Sequence, residues 1–159
     1  MTGGAGHPPA QMTGRPGGRV RWAFIAALWA LATLPFLGKA FHIDDTAYLA
    51  IARQIAREPL RPYSFDFHWI DKSESVFNLY HPPLVPAYLA LVTMLDGGRT
   101  REVPLHLGIS IFTALAALAT YRLAQRCGAA PGPAAVLVTL SPIVLPGTNL
   151  MLDVPVLAL

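Results

Sequence analysis

The chain has 159 residues, of which 53% are hydrophobic and only 13% charged, with a mean hydropathy of +0.45. That charged fraction is about half of what a soluble domain carries, and the apolar content excludes disorder for most of the chain. A lone cysteine, Cys127, excludes an internal disulfide scaffold, and a scattered net charge of +3 points away from a nucleic-acid partner. An integral membrane protein is the class that survives.

In chain order, residues 1–21 are Gly/Pro-rich and basic, and read as a disordered cytoplasmic tail. Residues 22–38 form the first apolar window, free of charge between Arg21 and Lys39. No small-x-small cleavage site follows, so it reads as an uncleaved anchor rather than a signal peptide. Residues 39–102 form a long polar loop. A second window, 103–122, has His106 as the only ionisable group before Arg122. A third, 134–152, is interrupted by Pro142 and Pro146 and closed by Asp153. Residues 154–159 look like the start of a further span, which suggests the N-terminal piece of a longer protein.

The run Leu84–Leu95 is apolar but too short to cross a bilayer, and is expected to be interfacial or re-entrant. Charge supports that choice. Arg15, Arg19 and Arg21 precede the first window, and Arg122 and Arg126 follow the second, with no acid among either group. Both stretches read as cytoplasmic. Eight of the nine acids lie in 39–102, against seven Lys or Arg, which suits the outer face. The expected fold is therefore all-α: a polytopic transmembrane helical protein whose outer loop carries short amphipathic juxtamembrane helices.

Within that loop, Tyr48, Ile51, Ala52 and Ile55 recur at helical spacing opposite Arg53, Gln54, Arg57 and Glu58. This predicts an amphipathic helix ending before Pro59, lying apolar face down on the membrane surface. Asp44 and Asp45 sit at its start. They read either as an N-cap with a second acid favoured by the helix dipole, or as reactive carboxylates at headgroup level. Tyr63–Asn78 is aromatic and polar without a strong period, and reads as a surface or substrate-lining loop. His42, His68 and His81 show no zinc-ligand spacing. His81-Pro82-Pro83 leads into the short apolar run, proline being suited to a helix start.

Taken in order, Phe41-His42-Ile43-Asp44-Asp45-Thr46-Ala47-Tyr48, His81-Pro82-Pro83-Leu84, Tyr121-Arg122-Leu123-Ala124, Ser141-Pro142 and Leu150-Met151-Leu152-Asp153 form a pattern. It resembles the GT-C membrane glycosyltransferases, in particular glycosyltransferase family 39, with the protein O-mannosyltransferases and aminoarabinose transferases. The resemblance covers about residues 19–159, the N-terminal part of such an enzyme. It implies transfer of a sugar from a polyprenyl-phosphate donor to a lipid, polysaccharide or protein acceptor on the outer face of a bacterial inner membrane, with inversion.

By the same resemblance Asp44 is the catalytic base, and Asp45 stands where the family commonly has Glu. Tyr48, His81 and Asp153 become candidate substrate-binding residues. A divalent metal is an open possibility, with Asp44, Asp45 and Asp153 as candidate ligands. Residues 1–159 alone are expected to be inactive, because a long-chain donor needs a cavity built with further spans. The competing class is a non-enzymatic membrane subunit or a transporter fragment, in which the acids serve only as helix caps.

Overall fold

The computed structural model describes residues 18–69, 71–79, 82–142, 144–145, 150 and 153–159. Among the described residues two helices are long and apolar enough to cross a membrane: Gly18–Phe36, of 19 residues, and Glu102–Arg126, of 25. The first comprises α1 (Gly18–Thr33) and a 3-10 turn over Leu34–Phe36, where Pro35 tightens the last turn. Gly18–Arg21, read from the sequence as part of a disordered tail, form the first turn of α1; the rest of that expectation, residues 1–17, lies outside the described residues. Next come α2 (Asp45–Arg57), strands β1 (Asp66–Trp69) and β2 (Lys72–Ser75), and α3 (Leu84–Leu95). The chain ends with α4 (Glu102–Arg126), α5 (Pro131–Thr139) and α6 (Asp153–Ala158).

Three contacts fix α1 antiparallel to α4. Phe24 meets Tyr121 with ring centroids 6.1 Å apart. The Trp29 indole N–H is shared between the Ser110 carbonyl and hydroxyl, both at 3.1 Å. His106 Nδ1 lies 3.1 Å from the Leu37 carbonyl oxygen. The pair therefore has a basic end, with Arg19, Arg21, Arg122 and Arg126, and an opposite, acidic end near His42–Asp45.

The buried face of α4 mixes apolar residues, among them Leu105 and Ile109, with polar ones, and an apolar stripe is left exposed. His106, Ser110 and Thr113 are buried, while Val103, Leu107, Ile111 and Leu115, one stripe at i, i+4 spacing, are exposed.

The short apolar helix α3 runs alongside the acidic half of α4. The Tyr88 hydroxyl donates to the Gly108 carbonyl at 2.8 Å, and its ring meets Phe112 edge-on at 5.4 Å. Twelve residues give α3 a length of about 18 Å, so it stops short of the basic end, as its length predicts. The α3–α4 turn is closed by Gly97 and Gly98, both with positive φ (68° and 77°). Arg101 clasps Asp96 there through two hydrogen bonds and holds its carboxyl below the usual carboxylate range.

Two expectations need correction. The apolar face of α2 does not lie on a membrane surface; Tyr48, Leu49 and Ala52 pack with Val85, Leu89 and Ala90 of α3 in the core. Only a strip through Thr46, Arg53 and Arg57 stays exposed. Burying both apolar faces against each other removes more apolar surface than laying one on an interface.

The fold is mostly helical, as expected, with one small strand pair that the sequence did not announce. β1 and β2 form an antiparallel pair with Asp66 opposite Ser75 and Trp69 opposite Lys72. The period-two signal is present in burial, with Phe65 and Phe67 half-buried between exposed Asp66 and His68, but it spans too few residues to stand out.

Finally, the third window is not one helix. Among the described residues the helix covers Pro131–Thr139, and the next begins at Asp153. Pro142 has no N–H to donate and its ring crowds the carbonyl four residues back. Instead the Ser141 carbonyl accepts the N–H groups of Val144 (3.1 Å) and Leu145 (2.9 Å), closing a turn. The segment still runs from the basic end, where Pro131 and Gly132 lie by Arg21 and Tyr121, to the acidic end, where Leu150 meets Asp45.

A Cβ added at Gly108 would lie 2.9 Å from Val92 Cγ2 and 3.2 Å from Cγ1. Gly108→Val is expected to destabilise the fold by about 1–3 kcal/mol through overpacking. Adding Val92→Ala should recover most of that loss, read as a thermal midpoint in detergent. Equal midpoints for the single and double variants would show that α3 does not seat on α4 at Gly108.

Candidate functional site

At the acidic end the backbone turns from Leu37 into α2, and its local bonding separates the two acids. The Asp45 N–H donates to the His42 carbonyl (3.0 Å), Thr46 N–H to Ile43 (3.3 Å) and Ala47 N–H to Asp44 (3.3 Å). In return Asp45 Oδ2 accepts the His42 N–H at 2.7 Å. This reciprocal arrangement is the acidic half of a capping box, with His42 rather than Asp44 at the cap. The other oxygen, Asp45 Oδ1, accepts the Leu150 N–H at 2.7 Å, across 105 residues of sequence. Asp45 is 0% exposed.

Asp44 is built differently. It stands immediately before α2 in αR conformation and its side chain makes no capping hydrogen bond. The cap reading therefore fails for Asp44 and holds, in altered form, for Asp45. Asp44 Oδ2 lies 3.3 Å from His42 Nδ1, with the two side chains 35% and 47% exposed. The same Nδ1 is 3.4 Å from the Asp44 N–H. With the proton on Nε2 the ring accepts from the backbone, and with a proton on Nδ1 it donates to the carboxylate. Asp44 and His42 thus form a solvent-accessible pair able to exchange a proton. His42 was legible in the sequence only as an isolated histidine; the signal was its position two residues before a cap-position acid.

Below this turn sits a second group that spacing did not single out. His106 is 0% exposed. Its Nδ1–H donates to the Leu37 carbonyl, an otherwise unpaired helix-end acceptor. Its ring meets Phe41 at 5.8 Å, edge to face. Nε2 is buried and without a partner among the described residues.

The remaining candidates are placed as follows. Tyr48 is 3% exposed, in the α2–α3–α4 core. His81 lies outside the described residues. Asp153 is exposed in the first turn of α6 and borders an apolar groove of about 600 Å³ with Leu137, Val144 and Leu157. Three residues of chain reach at most about 11 Å, so Asp153 stays near Leu150 and shares the acidic end with Asp45.

As a metal centre the three acids do not fit. Among the described residues no three His, Cys, Asp or Glu side chains come together to hold an ion, and both oxygens of Asp45 already accept backbone N–H groups. The cations of α2 are remote too. Arg53 and Arg57 stand eight and twelve residues beyond Asp45, about 12 and 18 Å along the helix, and Arg53 Nε donates to Thr100 Oγ1 at 3.3 Å.

Compared with protein-family models, curated proteins and solved structures, the chain shows no significant match.

The division between the acids is measurable as stability. Asp45→Asn replaces one acceptor by an amide donor facing a backbone N–H, and should cost about 2–3 kcal/mol, the scale of hydrogen bonds to a charged group. Asp44→Ala removes no capping bond and should change stability by less than about 0.5 kcal/mol. Chemical or thermal unfolding of both variants in detergent checks this. Equal losses would mean that the two carboxylates share the structural role.

Proposed function

We propose that this chain forms the donor-facing acidic turn of a multi-pass membrane glycosyltransferase. The enzyme moves a sugar from a polyprenyl-phosphate donor to a lipid, polysaccharide or protein acceptor on the outer face of a bacterial cell membrane. α1 and α4 are its first two spans, and α3 is re-entrant from the outer side. The observation that carries the reading is the contrast between Asp45, buried with both oxygens used, and Asp44, partly exposed with a side chain that makes no capping bond, at the end of two membrane-length helices. The low burial of α4 supports the membrane assignment, since only 39% of its apolar window is covered, whereas the core helix of a soluble protein is mostly buried.

In this reading Asp44 is the general base. A polyprenyl tail holds the donor phosphate at headgroup depth, so the reacting carboxylate belongs at the outer end of a span. Asp44 takes the proton from the acceptor hydroxyl as that oxygen attacks the anomeric carbon, and His42 accepts or returns a proton through Nδ1. The sugar–phosphate bond breaks with its electron pair on the phosphate oxygen, and a single displacement inverts the sugar carbon. The phosphate needs neutralisation rather than a proton. Asp45 is a positioning residue that holds His42 and the Leu150 segment in one geometry. Asp153, close by on the chain, is placed to contact the acceptor or donor sugar.

Asp44→Asn in the full-length protein should leave folding and insertion unchanged and lower turnover by about 10² or more, the scale of losing a general base. Initial transfer rate at saturating donor, normalised to folded protein, reads this out. Near-normal turnover in Asp44→Asn would refute the assignment of the base and favour a non-enzymatic membrane subunit.

Sidedness is tested separately. With Cys127 replaced, a single cysteine at Asp66 should react with an impermeant thiol reagent in intact cells, and one at Gly132 should not. The opposite pattern would invert the topology.

A further inference from the structure

The imidazole beneath the acidic turn makes contacts that packing alone does not require. His106 is wholly buried on α4 and is the only ionisable side chain in the stretch 103–120. It holds the chain after α1 at two points. Its Nδ1–H donates to the Leu37 carbonyl at 3.1 Å, and its ring meets that of Phe41 at 5.8 Å, inclined by 60°. Leu37 closes the 3-10 turn that ends α1, and Phe41 stands directly before His42. The two contacts therefore bracket residues 38–40 and set where the His42–Asp45 turn begins. From Phe41 to Asp44 is three residues, at most about 11 Å of chain.

This arrangement costs stability. Nε2 is enclosed without a partner among the described residues, and a buried polar atom left unpaired is unfavourable relative to an apolar group of the same shape. Leucine or phenylalanine would fill the space without that cost, but neither could hold a carbonyl oxygen. What the position uses is the directional bond rather than the volume of the ring. Local departures of this kind gather at functional sites.

We propose that His106 is a positioning residue for sugar transfer: it fixes the acidic turn, and with it the Asp44 carboxylate, relative to the two long helices. The inference rests on the reading of Asp44 as the general base. Asp45 secures the turn from the side of α2 and Leu150, and His106 secures it from the α1–α4 side. A base has to lie within hydrogen-bond reach of the acceptor hydroxyl, and a displacement of about 1 Å imposed from a distance costs about 10² in rate.

The test uses the full-length protein and turns on which ring atom matters. Asparagine places its amide nitrogen where histidine has Nδ1, and glutamine places it one bond further, near Nε2. His106→Asn should keep the bond to Leu37 and hold turnover within about threefold, whereas His106→Gln and His106→Leu should lower kcat by about 10- to 100-fold. KM for the donor should change by no more than about twofold in all three, since the lost interaction acts only in the transition state. Adding His106→Leu to Asp44→Asn should lower turnover no further, because the group being positioned is already gone. All rates are normalised to folded protein, and if His106→Leu fails to fold the comparison of Asn with Gln carries the same test.

Amide hydrogen exchange gives a readout that needs no substrate. The Lys39 and Asp45 N–H groups, bonded to the Phe36 and His42 carbonyls, should exchange about tenfold faster in His106→Gln and His106→Leu than in His106→Asn or the parent. Equal losses in His106→Asn and His106→Gln would overturn the directional bond. A double variant that falls by the product of the two single losses would overturn action through Asp44. Near-normal turnover in Asp44→Asn would overturn the base assignment and this inference with it. A loss in Asp44→Asn, with turnover and exchange unchanged in His106→Gln, would overturn this inference alone.

Discussion

A buried carboxylate organises the acidic end of this protein. Asp45 is removed from solvent and keeps its charge compensated by two short backbone N–H bonds, one from three residues upstream and one from Leu150. An uncompensated carboxylate at that depth would be costly, so the loop after α1 and the segment before α6 are held together by the need to satisfy it. The helix α2 starts where it does because this side chain reaches back to His42. The core formed by α2, α3 and α4 includes Leu150, whose position depends on the same bond.

The consequence is a structural difference between neighbours in sequence. Asp45 is committed to the scaffold, which leaves Asp44 projecting from a fixed turn with its oxygens open to solvent and to His42. The position of the Asp44 side chain is thus set by a rigid neighbour rather than by capping bonds of its own. His106 contributes from beneath by tying the Leu37 carbonyl, the last turn before the acidic loop, to α4. The polar contacts of α4 thus lie inward and at one end, and its apolar stripe lies outward along its length.

The two ends of the α1–α4 pair differ in chemistry as well as charge. One gathers carboxylates and histidines around a turn rich in backbone hydrogen bonds. The other gathers arginines around a gap between three helix ends, over a small apolar core of Ile25, Leu28, Ala117 and Ala135. Such polarity along a helical pair is compatible with the membrane reading, in which charged groups concentrate where water and headgroups can meet them.

The two long apolar helices, the short third one and the clustering of basic residues away from acids were legible in the sequence alone, because length, hydropathy and charge are properties of local stretches. So was the prominence of Asp44 and Asp45, as adjacent acids at the start of an amphipathic period. What each acid does was decided only by tertiary structure. The partner of Asp45 lies 105 residues away, and no local pattern encodes a bond of that range. The same holds for the apolar face of α2, whose period is visible but whose partner, α3 rather than a membrane surface, is set by packing. The hairpin of β1 and β2 escaped notice because two four-residue strands hold too few alternations to rise above the surrounding loop. The third window read as one span with Pro142 and Pro146 inside it, because neighbouring helices can satisfy the carbonyls a proline frees; the helix instead stops at Thr139, since a proline interior to a helix removes a donor and crowds the preceding turn.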